Sequence, residues 1–120
     1  FINPYLSLIK HSLFVVIPLK FDKGHKKNVG HGITTAIEAC YLRKPLIATE
    51  FCGVDEYTEK ELLVKNRDPE DLKNKITYLM NDNNRLKYEQ KLEKYDKDYM
   101  TWQGFCNGIK NHLNILNNHN

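Results

Sequence analysis

The chain has 120 residues, 41% of them hydrophobic and 28% charged, with a formal net charge of +3. That size suits one domain or part of a larger one, with a modest core, and the charge is too mild to argue for a nucleic-acid surface by itself. Three cysteines, Cys40, Cys52 and Cys106, are an odd number at spacings that match neither a zinc site nor CxxC, so buried thiols in a reducing compartment are expected.

Asn3-Pro4 reads as a cap and first helical residue for a short helix over Tyr5 to His11 with Tyr5, Leu8 and Ile9 at helical spacing. Ser12 to Pro18 is a β-branched and aromatic run, the pattern of a strand buried on both faces. The apolar run Leu13 to Leu19 is interrupted by Pro18 and is far too short to cross a bilayer. Leu19 to Val29 is a polar loop with Lys20, Lys23, Lys26 and Lys27, for which solvation is the bland account. From Gly32 to Leu42, Ile33, Ala36, Ile37 and Cys40 form a helical stripe. Arg43-Lys44 suits the helix C-terminus and Pro45 ends it.

Pro45 to Thr49 predicts a second buried strand, Glu50 to Tyr57 a loop with a short helix near Asp55, and Glu61 to Lys65 a third strand. Asp68-Pro69-Glu70-Asp71 is a strong helix start, with Leu72, Ile76, Leu79 and Met80 expected on one face. Asn81 to Asn84 reads as a turn, and Arg85 to Asp98 as a charged helix with Leu86, Leu92, Tyr95 and Tyr99 as its apolar positions. Trp102, Phe105, Ile109, Leu113 and Leu116 mark a helical tail over residues 99–120. Alternating strands and helices argue for α/β with a parallel sheet of about three strands. Ligands of such sheets sit beyond the carboxyl ends of the strands. The loops Leu19 to Gly32 and Glu50 to Val54 leave strand ends and share that edge.

There the chain reads G-H-G-I-T-T-A-I-E-A-C-Y-L-R-K-P, from Gly30 to Pro45. A helix beginning at Gly32 has unpaired amides and the positive end of its dipole in its first turn, while Gly30 and Gly32 allow close approach to the backbone. With the Thr34 and Thr35 hydroxyls this is a fit for a diphosphate, and His31 is a candidate donor to it. Glu38 lies on the Thr34 face, offset from the apolar stripe, placed to accept two hydroxyl protons from a ribose. On pattern alone, capping glycines and a solvated glutamate remain the alternative. His25 and His31 have no acidic or cysteine ligand beside them, and no metal site is expected.

The stretch from Gly30 to Thr49 resembles the donor-binding segment of group 1, family 4-like GT-B glycosyltransferases. The order of motifs continues through Gly53-Val54-Asp55-Glu56-Tyr57, Leu62-Leu63-Val64 and Asp68-Pro69-Glu70-Asp71-Leu72, covering about residues 12 to 95. The resemblance implies a partial Rossmann-like sheet within the carboxy-terminal part of such an enzyme, with residues 1–120 an incomplete domain and a fragment of a longer chain; Phe1-Ile2 is not a normal start.

It implies a retaining, hexosyltransferase-like enzyme that moves a sugar from a nucleotide-diphosphate sugar to a glycan, lipid-linked or small-molecule acceptor, as in polysaccharide biosynthesis. No cofactor beyond that co-substrate is implied. The missing amino-terminal domain would be the partner without which this part does not turn over. A cytoplasmic location, with or without peripheral contact with the inner face of the membrane, goes with it. Matching positions make Glu38 the ribose ligand and Gly32, Ile33, Thr34 and Thr35, with His31, the diphosphate side. Gly30, Cys52, Gly53 and Val54 are weaker candidates, the last three on the Phe51 to Val54 loop.

Two departures stand out. Gly30 occupies the place of an acid that in many members contacts the sugar, and Arg43 that of the glycine before Lys-Pro. The first leaves open a non-catalytic module that binds a nucleotide or a partner. A response-regulator-like domain would need acids at the strand ends, where Pro18 and Thr49 stand.

Overall fold

The computed structural model describes residues 3–21, 32–94, 103 and 106–111. Helix α1 (Pro4–His11) starts as its sequence asks, with the Asn3 side chain accepting the Tyr5 N–H at 3.0 Å. It ends where the Ser12 N–H and hydroxyl both turn back onto the Ile9 carbonyl. That closure explains why strand β1 is only Val15–Ile17 rather than the whole run from Ser12. Within α1 the buried residue is Ile9; Leu8 and Tyr5, expected to share its face, are exposed.

β1 pairs in parallel with β2 (Leu46–Thr49), Val16 opposite Ile47, and β2 pairs in parallel with β3 (Leu63–Val64), Ala48 opposite Leu63. The order β1-β2-β3 makes β2 central, and all four of its residues are buried. The third strand is shorter than the sequence suggests. Glu59 accepts the Leu62 N–H to close a 3₁₀ turn (Lys60–Leu62), and the Lys65 N–H is drawn away to Asp71 Oδ2 at 3.0 Å. Another 3₁₀ turn, Asp55–Tyr57, stands where a short helix is expected.

Side-chain alternation along β2 feeds two core layers. Leu46 and Ala48 pack with Ile17, Ala36, Cys52 and Val54 beneath α2 (Ile33–Tyr41). Ile47 packs on the opposite face with Leu62, Val64, Leu79 and Tyr88, under α3 (Pro69–Met80) and α4 (Asp82–Lys94). The buried positions of α2 are Ala36, Ala39 and Cys40; Ile37, expected in the stripe, is exposed. The Cys40 thiol donates to the Tyr57 carbonyl, and burial pushes its pKa up to about 11, so it stays a thiol at neutral pH.

α3 has the predicted cap, Asp68 Oδ1 accepting the Asp71 N–H at 2.9 Å, with Pro69 in its first turn. Met80 is not on its buried face but 55% exposed. The expected turn over 81–84 shrinks to one residue, because the Asn81 side chain accepts from the amides of Asn83 and Asn84 and starts α4 at once. In α4 Tyr88 carries the packing, edge-on to Tyr78, whereas Leu86 is exposed. Tyr95, Tyr99, Trp102, Phe105, Leu113 and Leu116 lie outside the described residues; 106–111 are helical. Among the described residues no helix is long and apolar enough to cross a membrane.

α2 closes with a Schellman turn. The Lys44 N–H donates to Ala39 and the Arg43 N–H to Cys40, with Arg43 left-handed at φ 59°. Arg43→Gly removes a left-handed side-chain penalty of about 1 kcal/mol. Most of that is offset by the looser unfolded chain and by loss of the surface pair of Arg43 with Glu93. The expected result in urea unfolding is a gain between zero and about 1 kcal/mol. A loss beyond that range would show that the bridge to α4 outweighs the backbone effect.

Candidate functional site

Parallel pairing puts the carboxyl ends of all three strands on one edge. Side chains lace these ends together. Thr49 Oγ1, at the end of β2, donates to the Leu19 carbonyl at 2.8 Å. Beyond β3, the Asn66 amide reaches both main-chain groups of Phe21.

The chain returns to this edge at Gly32, which has φ +81° and caps α2 without a side-chain hydrogen bond. A Cβ at this position would lie 2.9 Å from Ile17 Cγ2, so both torsion and space call for glycine. The Gly32 carbonyl takes the first intrahelical bond, from the Ala36 N–H at 2.9 Å. The amides of Ile33, Thr34 and Thr35 precede that bond and have no acceptor among the described residues.

α1 lies beside α2, and Thr35 Oγ1 is 2.8 Å from the Tyr5 hydroxyl. One turn beyond Thr35, Glu38 is half-buried, and its Oε2 is fully covered with no hydrogen-bond partner. The residue Glu38 also lines a groove of about 220 Å³, together with Leu6 of α1, Ile37, Tyr41 and Leu42. A carboxylate oxygen shielded from water and unpaired is a strong acceptor waiting for a donor.

Gly32, Ile33, Thr34, Thr35 and Glu38 are therefore brought together along one face and end of α2. Thr34 is exposed, and Thr35 is engaged with Tyr5. On the next loop Cys52 and Val54 point into the core, the Cys52 thiol donating to the Thr49 carbonyl at 2.6 Å. What that loop presents outward is Phe51, 60% exposed, and Gly53, whose N–H donates to Asp55 Oδ1. Gly30, His31, His25, Lys23, Lys26 and Lys27 lie outside the described residues.

A second cavity, of about 360 Å³, opens on the α3 side of the same edge, with Val16, Ile47, Val64 and Leu72 as its floor and Lys20 and Lys65 at its rim. None of the sequence-derived site residues lines it. Sequence reading missed three participants: Leu6, which lines the groove, Tyr5, which meets Thr35, and Asn66. Tyr5 was legible only as an apolar helix position, and nothing in local spacing connects Asn66 with Phe21. Among the described residues no group of three or more His, Cys, Asp or Glu side chains stands together as a metal site.

The family model for glycosyl transferases group 1 matches residues 7–99. The chain belongs to the group 1 glycosyltransferases. Comparison with curated proteins and with solved structures gives no match. In this group 1 glycosyltransferase the matched region runs from within α1 to just past α4. It takes in the first turn of α2, Glu38 and Asn66, while Tyr5 and Leu6 precede it. The general chemistry of the family is glycosyl transfer, and the three-stranded parallel sheet flanked by helices is the α/β arrangement that the strand–helix alternation predicts.

Proposed function

We propose that the first turn of α2 and Glu38 hold the donor of an enzyme that transfers a sugar from a nucleotide-diphosphate sugar to an acceptor hydroxyl with retention of configuration. The carrying observation is Glu38, whose Oε2 is unpartnered and which lines the groove beside α1, one turn behind the first-turn amides of α2. A diphosphate at those amides puts the adjoining ribose within one helical turn, where a carboxylate can accept both of its hydroxyl protons. Transfer breaks the bond from the anomeric carbon to the diphosphate oxygen and forms one from that carbon to the acceptor oxygen. The acceptor's proton leaves with a base or the departing phosphate. The contribution of these residues is positioning, and stabilisation of the negative charge that grows on the leaving diphosphate.

In this reading residues 1–120 are the carboxy-terminal donor-binding part, acceptor contacts belong to another domain, and these residues alone do not turn over. The nucleotide sugar is a co-substrate, and no further cofactor is invoked. Calorimetry of the full-length protein with UDP, GDP and ADP tests it. One of them is expected to bind with Kd in the range of about 1 µM to 1 mM usual for substrates, and inorganic pyrophosphate more weakly. Absence of binding across the panel overturns the proposal. Gly30, in place of the acid that many members carry, favours a second reading, a module that binds the nucleotide without transfer. Binding with neither donor hydrolysis nor sugar transfer in the intact protein would select it.

A further inference from the structure

We propose that Asn66 is a positioning residue for the donor site, fixing the chain that leaves β1 so that the turn at Gly32 is held ready for the diphosphate; this rests on the donor-binding reading above. Asn66 stands on a rigid support. The Asp68 N–H donates back to the Lys65 carbonyl at 3.2 Å, the Lys65 N–H to Asp71 Oδ2 at 3.0 Å, and the Asp71 N–H to Asp68 Oδ1 at 2.9 Å. The turn joining β3 to α3 is thus tied at three points, with Arg67 left-handed at φ 62° beside Asn66.

From that turn the Asn66 side chain grips one distant residue on both of its main-chain groups. Its Oδ1 accepts the Phe21 N–H at 3.3 Å, and its Nδ2 donates to the Phe21 carbonyl at 2.8 Å. A neighbouring strand would satisfy a residue in the same two-sided way. Among the described residues no strand does so, because β2, the neighbour of β1, ends at Thr49. The Asn66 side chain instead reaches past the end of β2, from the turn after β3 to the chain that leaves β1. Two residues earlier, Thr49 Oγ1 donates to the Leu19 carbonyl. Lys20 lies between the two clamps, exposed at the edge.

These clamps lie next to the donor turn. Leu19 follows Pro18 and Ile17, and Ile17 is the side chain on which Gly32 rests. The outgoing end of the connection from β1 to α2 is held by Asn66 and Thr49, and its incoming end by the packing of Gly32 on Ile17. Without the Asn66 amide the outgoing end must be ordered when the donor binds, and that ordering is subtracted from affinity. Chemistry after binding involves none of these atoms.

The test uses the full-length protein, with amide hydrogen exchange at Phe21, nucleoside diphosphate calorimetry and steady-state sugar transfer. Asn66→Ala is expected to lose protection at Phe21 and to raise donor KM and Kd by about five- to thirty-fold, the worth of one or two ordinary hydrogen bonds. Its kcat should stay within about two-fold, as for an interaction made equally in ground and transition states. Asn66→Asp keeps an acceptor for the Phe21 N–H but turns a carboxylate oxygen toward the Phe21 carbonyl in place of the Nδ2 donor, so it should lose protection and raise KM in the same direction as alanine, and it carries the test if the alanine variant folds poorly. An alanine variant with wild-type KM, or with lowered kcat at unchanged KM, overturns the positioning role while the donor site stands. Wild-type protein that binds no nucleotide removes the donor reading and this proposal with it.

Discussion

Glu38→Ala is expected to weaken nucleoside diphosphate binding by about 10- to 100-fold and to leave the thermal midpoint unchanged or raised. The two halves of that expectation come from the same atom. A hydrogen bond to a charged acceptor contributes about 1.5–3 kcal/mol, so the net loss of one from a ribose hydroxyl is of this order. In the unliganded fold Oε2 has no partner, and a covered polar atom without one costs about 1–3 kcal/mol. Truncation removes that cost. A structural glutamate would behave in the opposite way, with stability falling and affinity unmoved. Glu38→Gln should fall between wild type and alanine, because it keeps one acceptor and loses the charge. The contact can be located with deoxyribonucleotides: they should bind more weakly than ribonucleotides to the wild type and equally well to Glu38→Ala. Equal affinity of wild type and Glu38→Ala for the ribonucleotide would sink the ribose assignment.

The parts of the fold that were legible in the sequence are those decided within a few residues. Asn3-Pro4 and Asp68-Pro69 form the caps they spell, because a cap is a local hydrogen bond. The β-branched runs become β1 and β2, whose apolar side chains face both core layers. What failed was set at a distance. The ends of β3 depend on Glu59 and Asp71 taking the amides of Leu62 and Lys65, which flank it. On α2 the small residues Ala36 and Ala39 face the sheet and displace Ile37 outward, a choice made by the close approach of helix to strand rather than by hydrophobicity. Tyr88 was hidden in a charged helix because its ring is covered from other elements and flanked by the Lys87 and Lys91 ammonium groups.

The site shows the same division. Gly32 and Glu38 announce themselves through glycine and the spacing along one helix. The groove that gives Glu38 its character does not, because Leu6 reaches it from α1 and Tyr5 joins Thr35 across 30 residues of sequence. A motif therefore named the carboxylate, but only the packing of two helices made it covered and unpaired.

Gly32→Ala should destabilise the protein by about 2–5 kcal/mol, from two separable sources. A side chain at φ +81° costs about 1–2 kcal/mol in a left-handed conformation. Its Cβ would also meet Ile17 Cγ2 at 2.9 Å and Cδ1 at 3.3 Å, and such overpacking typically adds about 1–3 kcal/mol. Against the 5–15 kcal/mol of an ordinary domain that is a large loss. It should come with weaker nucleotide binding, because relief of the clash moves the free amides of α2. A double-mutant cycle with Ile17→Ala separates the sources. Deleting the methyls on which Gly32 rests removes the steric part, so the double variant should be more stable than the sum of the single losses predicts, by about 1–3 kcal/mol. The torsional part is untouched by anything done to Ile17 and should remain as a residue of about 1–2 kcal/mol. Additivity within about 0.5 kcal/mol would mean that Gly32 is required for its torsion alone. The close seating of α2 on β1 would then not be what aims the first turn of the helix at its ligand.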